Sequence, residues 1–114
     1  MSHSEDPTEP PYEFDAILAA GMIGKRVLVG VTVEDRRGQF KRHEQYHGVV
    51  VAASKESGVQ LELQGARAGE KKWLPPATSF YQRAAPGIYK LRSSGESVSD
   101  PDFTCTWRLI QPDA

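Results

Sequence analysis

KRVLVGVTVE, residues 25–34, sets Val27, Val29, Val31 and Val33 at every second position, with Leu28, Gly30, Thr32 and Glu34 between them. Side chains alternate between faces along a strand, so this spacing predicts a β-strand with one buried valine face. A helix would need apolar residues three and four apart. A single strand cannot bury its apolar face alone, so the flanking sequence must supply partners.

The partners follow downstream. DRRGQ (35–39) reads as a turn, and Phe40–Ser54 as a long second strand with Gly48 inside it. Glycine within a strand often marks a sharp bend at a barrel corner. KESG (55–58) turns the chain again, and Val59, Leu61 and Leu63 alternate with Gln60, Glu62 and Gln64 as a third strand. After GARAG (65–69), Lys71–Leu74 predicts a fourth strand that Pro75 and Pro76 end, and Ser79–Gln82 a fifth. Ile88, Tyr89 and Leu91 give a further strand. Phe103, Cys105, Trp107 and Leu109 give another, with the polar stretch Ser93–Asp102 as the loop of a C-terminal hairpin between them. Upstream, Phe14, Ile17, Leu18 and Met22 fall at helical spacing, with Asp15 near the first turn and Gly21 and Gly24 as stops.

Short strands and tight turns at this density predict an all-β fold: a small barrel, which removes sheet edges, with one N-terminal helix and a C-terminal hairpin. The expected core is Val27, Val29, Val31, Val51, Leu61, Leu63, Phe103 and Trp107. The expected organisation is an acidic, disordered tail over 1–13 and one domain over 14–112.

Composition limits the function classes. The chain has 114 residues, 39% of them apolar, enough for one modest core. No apolar run reaches membrane-spanning length, and the N-terminus lacks a secretory pattern. The expectation is a cytoplasmic protein with no membrane partner. Cys105 is the only cysteine, which excludes an internal disulfide. The net charge of −1 hides a split: Glu5, Asp6, Glu9, Glu13 and Asp15 all precede the first lysine or arginine.

The stretch Phe14–Leu63 resembles the Sm-like small β-barrel family. ILAAGMIGKRVLV (17–29) fits that family's helix and Gly-Lys entry into the first strand. YHGVVV (46–51) and VQLEL (59–63) fit its first motif. SH3-like barrels share much of this outline. The whole chain also resembles a functionally uncharacterised bacterial small-protein family, with WLPP (73–76) and DPDFT (100–104) as shared phrases. The resemblance implies a barrel that can assemble through its strand edges. It does not carry over the RNA site: Ser54 and Gly58 stand where RNA-binding members have aspartate and asparagine, and WLPP where they have an arginine-glycine pair.

Four stretches could carry chemistry. HEQYH (43–47) satisfies the H-E-x-x-H pattern of zinc peptidases, which need both histidines on one helical turn. Its neighbours are strand formers. Residues i and i+4 of a strand lie roughly 13 Å apart at about 3.3 Å per residue, too far to share a zinc ion at about 2.1 Å. The match is therefore read as coincidental. The same alternation puts Phe40 and Tyr46 on one face, and His43 and His47 on the other. Cys105, between Phe103 and Trp107, reads as a buried thiol rather than a nucleophile. Arg36, Arg37, Lys41, Arg42, His43 and Tyr46 could form a basic, stacking surface for single-stranded nucleic acid. Trp73, Pro75, Pro76, Phe80 and Tyr81 form the densest aromatic-proline cluster, the kind that makes a groove for extended peptides. No glycine-rich phosphate loop is present, and no cofactor is expected. The first expectation is a non-catalytic module that binds an unidentified protein or itself. A weak nucleic-acid binder and a zinc enzyme are the alternatives.

Overall fold

The computed structural model describes residues 14–111; the expected tail over 1–13 and Pro112 lie outside the described residues. The elements are helix α1 (Ala16–Met22) and strands β1 (Arg26–Glu34), β2 (Phe40–Ser54), β3 (Gly58–Leu63), β4 (Lys71–Leu74), β5 (Gln82–Arg83), β6 (Ile88–Lys90), β7 (Ser97–Ser99) and β8 (Phe103–Ile110). The fold is mostly β, as the alternation of β1 predicts. No helix among the described residues is long and apolar enough to cross a membrane.

Six strands form one sheet in the order β4-β3-β2-β1-β8-β5. The sheet rolls around a single core to which β1, β2, β3, β4 and β8 all contribute. Among the described residues the roll is not closed, because the ladder ends at β4 on one side and at β5 on the other. The valine face of β1 is buried as read: Val27, Val29, Val31 and Val33 are all at most 8% exposed. β2 is long because it serves two neighbours. Phe40–Val49 pairs with β1, and Gly48–Ser54 with β3. Gly48 belongs to both ladders, and a β-carbon there would collide with the Glu62 carbonyl oxygen. The glycine permits the backbone of β3 to come this close.

Two bulges in β2 correct the expected faces. Val33 pairs with Arg42 and Glu34 with Phe40, so Lys41 is the extra residue. The bulge turns Phe40 onto the face of His43, with ring centroids 4.8 Å apart, rather than onto that of Tyr46. A second bulge at Val51 lies between the pairs Val50–Leu61 and Ala52–Gln60. It places Val50 in the core at 1% exposure and leaves Val51 39% exposed.

The C-terminal hairpin also differs from expectation. β6 pairs with β7, which lies inside the stretch read as a polar loop. β8 instead runs parallel to β1, from Val27–Phe103 to Glu34–Ile110. The DPDFT segment fastens this long-range pairing. The Arg26 N–H donates to the Asp102 carboxylate at 2.9 Å, and the Asp102 N–H returns to the Arg26 carbonyl at 3.0 Å. Gly87 N–H donates to the Asp100 carboxylate at 2.8 Å, tying β6 to the same segment. The segment read as a fifth strand, Ser79–Gln82, is a 3-10 turn over Thr78–Phe80 followed by β5.

Asp15 caps α1 by accepting from the N–H groups of Ile17 and Leu18. The helix lays Ala19 and Met22 into the protein, with Leu18 packed against the core. Ile17, read as part of the apolar stripe, is 87% exposed.

Candidate functional site

HEQYH lies in β2, and each of its residues has a separate neighbour. His43 approaches Thr32 Oγ1 at 3.3 Å. Glu44 forms an ion pair with Arg42 at 2.8 Å. The Gln45 side-chain oxygen accepts from Arg92 N–H at 2.7 Å and from Ser93 N–H. Tyr46 is in the core, and His47 pairs with Glu96 at 3.0 Å. Gln45 and His47 thus hold the β6–β7 arm against the sheet. Among the described residues no cluster of three or more His, Cys, Asp or Glu is placed to hold a metal ion.

The hydrogen bond from His47 holds the Glu96 carboxyl below the usual carboxylate range, with Ser94 and the Ala66 backbone adding to it. A carboxyl lowered in the folded state contributes stability above its unfolded value. That contribution is lost as pH falls through the folded value. Glu70, lowered by Arg67, acts in the same sense, so the two must be separated by mutation. The acid limb of a stability–pH curve, from urea unfolding, is expected to be shallower for Glu96→Gln than for the parent. An unchanged acid limb would show that the pair adds nothing.

Cys105 is 3% exposed, and burial pushes its thiol up to about 12, with the Tyr81 hydroxyl opposing weakly. Thiolate is the reactive form. The folded protein is therefore expected to resist a disulfide-exchange reagent at neutral pH and to react fully in guanidinium. Stoichiometric labelling of the folded chain would contradict this burial.

The six residues read as a nucleic-acid surface do not form one face. Arg36 and Arg37 are exposed in the β1–β2 turn, and Lys41 is the bulge residue. Arg42 is held by Glu44 and by the Gln111 side chain at 2.8 Å. His43 is exposed on the outer face. Tyr46, which was to stack on bases, is 5% exposed and its hydroxyl is pushed up to about 12 by burial. Arg67 and Lys72 lie over its ring, at 5.1 and 5.7 Å from the centroid.

The aromatic-proline cluster is better assembled. Trp73 and Phe80 are 52% and 40% exposed, while Tyr81 has gone to the core. Phe80 packs on Trp107 at 4.6 Å between centroids, and Tyr81 meets Trp107 edge-on at 6.2 Å. Between β4 and β8 lies a cleft of about 210 Å³. Trp73 and Pro75 form one wall and Trp107 and Leu109 the other, with Val31 and Tyr46 among the remaining lining residues. Lys72, Arg108 and Glu44 also line it. Pro76 is half-buried and outside it.

Two features distinguish this cleft. Among the described residues, β4 pairs within the sheet only with β3, and β8 beyond Thr104 only with β1. Each cleft wall therefore carries a strand edge outside the ladder. The Trp107 indole Nε1–H is also buried without an acceptor among the described residues. Folded proteins seldom leave such a donor unmatched.

Sequence reasoning found Trp73 and Pro75 but missed Trp107, Lys72, Arg108 and Glu44. Trp107 had the alternation of a core residue. The available signal was its bulk, since tryptophan is rarely buried completely.

Comparison with family models, with curated proteins and with solved structures finds no match.

Proposed function

We propose that the protein is a non-catalytic binding module, a small barrel of Sm-like or SH3-like type that takes an extended polypeptide segment into the cleft between β4 and β8. The observation that carries this reading is the pair of tryptophans, Trp73 and Trp107, lining one cleft between two open strand edges. Aromatic walls supply large contact area at low entropy cost, and strand edges supply backbone donors and acceptors. The cleft suits side chains of a peptide rather than a folded surface. The nucleic-acid alternative is less favoured, because its one stacking aromatic, Tyr46, is in the core.

The test is direct because Trp73 and Trp107 are the only tryptophans. Peptides selected on the folded protein from a random display library are expected to change its tryptophan emission saturably. Trp73→Ala should weaken them by at least about tenfold, or roughly 1.4 kcal/mol, as for a hot-spot anchor. Ile88→Ala, at an exposed apolar residue of the β6–β7 arm, should leave them unchanged. Selected peptides that bind Trp73→Ala undiminished would overturn the reading.

A further inference from the structure

The sequence before α1 carries a proline-rich, acidic segment whose chemistry complements the cleft. The Asp15 N–H donates to Thr78 Oγ1 at 2.9 Å, fixing the start of α1 beside the Thr78–Phe80 turn. The Phe80 ring of that same turn packs on Trp107, a cleft wall. The described fold thus begins beside a turn that touches one cleft-lining residue, Trp107, and residues 4–13 precede it in sequence. They read SEDPTEPPYE over 4–13, with Pro7, Pro10 and Pro11 among Glu5, Asp6, Glu9 and Glu13.

We propose that residues Pro7–Tyr12 of the same chain occupy the Trp73–Trp107 cleft and compete with any external peptide for it. This rests on reading the cleft as a peptide site. Three observations carry it.

The first is reach. Counting back from Asp15, Pro7 lies up to about 25 Å away and Pro11 about 12 Å, at about 3.1 Å per extended residue. The principal-axis extents are 49 × 37 × 26 Å, so a segment of this length spans the shortest dimension of the fold but not its longest. A tether this short also gives an effective concentration on the order of millimolar, which favours the chain's own segment over a second copy.

The second is chemistry. Proline-rich segments have little conformational freedom to lose and dock in grooves lined by aromatics. A segment with three prolines also lacks three N–H donors, so it suits an aromatic groove better than a ladder position.

The third is charge. Lys72 and Arg108 line the cleft with one acid, Glu44. Arg42 engages Glu44 at 2.8 Å and Glu34 engages Arg108 at 3.5 Å, which leaves Lys72 as the lining cation with no carboxylate within ion-pair distance among the described residues. Glu9 and Glu13 bring the opposite sign. An incoming carbonyl or carboxylate could also supply the acceptor that Trp107 lacks among the described residues.

The experiment uses the full chain and a variant with Pro7→Ser, Pro10→Ser and Pro11→Ser. These positions precede the sheet and α1, and circular dichroism verifies that the variant is folded. Quenching of the two tryptophans by neutral acrylamide is expected to rise by about twofold in the variant, since a docked segment covers most of its contact surface. The synthetic peptide SEDPTEPPYE should bind the variant about tenfold more tightly than the parent, the factor expected if the tail fills the cleft in about nine molecules of ten. Lys72→Glu, an independent substitution within the cleft, should also raise quenching. Parent protection should not change on dilution; protection lost on dilution would overturn docking within one chain. Equal quenching and equal peptide binding in parent and variant would overturn the tail as occupant. That result leaves the cleft to its own test, in which Trp73→Ala alone decides whether any peptide uses it.

Discussion

Gly58→Ala is expected to lower stability by about 4 kcal/mol, read as a fall in the urea midpoint at unchanged slope. Two costs combine there. Gly58 has φ +96°, where a β-carbon costs about 1–2 kcal/mol. That carbon would also collide with the Leu74 carbonyl oxygen, and forced overpacking costs about 1–3 kcal/mol more. The obstacle is backbone: Leu74 pairs with Val59 at the end of the β3–β4 ladder. Relief would require breaking that pair and displacing Trp73 and Pro75, so binding at the cleft should weaken as well. Gly69→Ala is the control. Gly69 has a similar φ of +99° but nothing within 4 Å of the added carbon. It should carry only the conformational cost. Equal losses at the two positions would refute the role assigned to the Leu74 carbonyl.

Leu61→Ala is expected to cost about 3 kcal/mol, within the range of about 2–5 kcal/mol for buried leucines. Leu61 is fully buried, opposite Val50 on β2 and Lys72 on β4. Its truncation leaves a cavity where three strands meet, and the flanking ladders restrict how far that space can collapse. Val51→Ala, one bulge away from the Val50–Leu61 pair, should cost less than about 0.5 kcal/mol, as exposed positions do. A large loss at Val51 would mean that the bulge assigned to it is misplaced. Thermal or urea unfolding of the two variants measures the contrast.

What was legible in the sequence was local. The valines of β1 alternate because one face is wet and the other dry, and period-two spacing reports that without any partner being known. The turns after β1, β2 and β3 carried their own glycines and polar residues. Asp15 announced the start of a helix. HEQYH could be separated from a zinc-peptidase helix because its neighbours were strand formers.

The rest was not legible for reasons particular to each element. A bulge is one extra residue, set by how two strands fit, so neither Lys41 nor Val51 bears a mark of it. The parallel β1–β8 ladder joins residues 76 apart at its first pair, Val27 and Phe103, and local pattern carries no information at that separation. Half of the cleft was visible as a proline-rich aromatic stretch around Trp73. The other half, Trp107 and Arg108, arrives on β8.

By itself, then, the sequence determined the buried faces of β1 and β3, the start of a helix near Asp15, the isolation of Cys105 and the proline-rich acidic character of residues 4–13. Tertiary structure alone decided that, among the described residues, the sheet stays open between β4 and β8, and that Trp73 and Trp107 line one cleft there. The physical reason is that periodicity records which side of an element meets water. Which edges meet one another depends on long-range pairing and backbone contact, such as the Gly48 approach to Glu62 and the Arg26–Asp102 exchange.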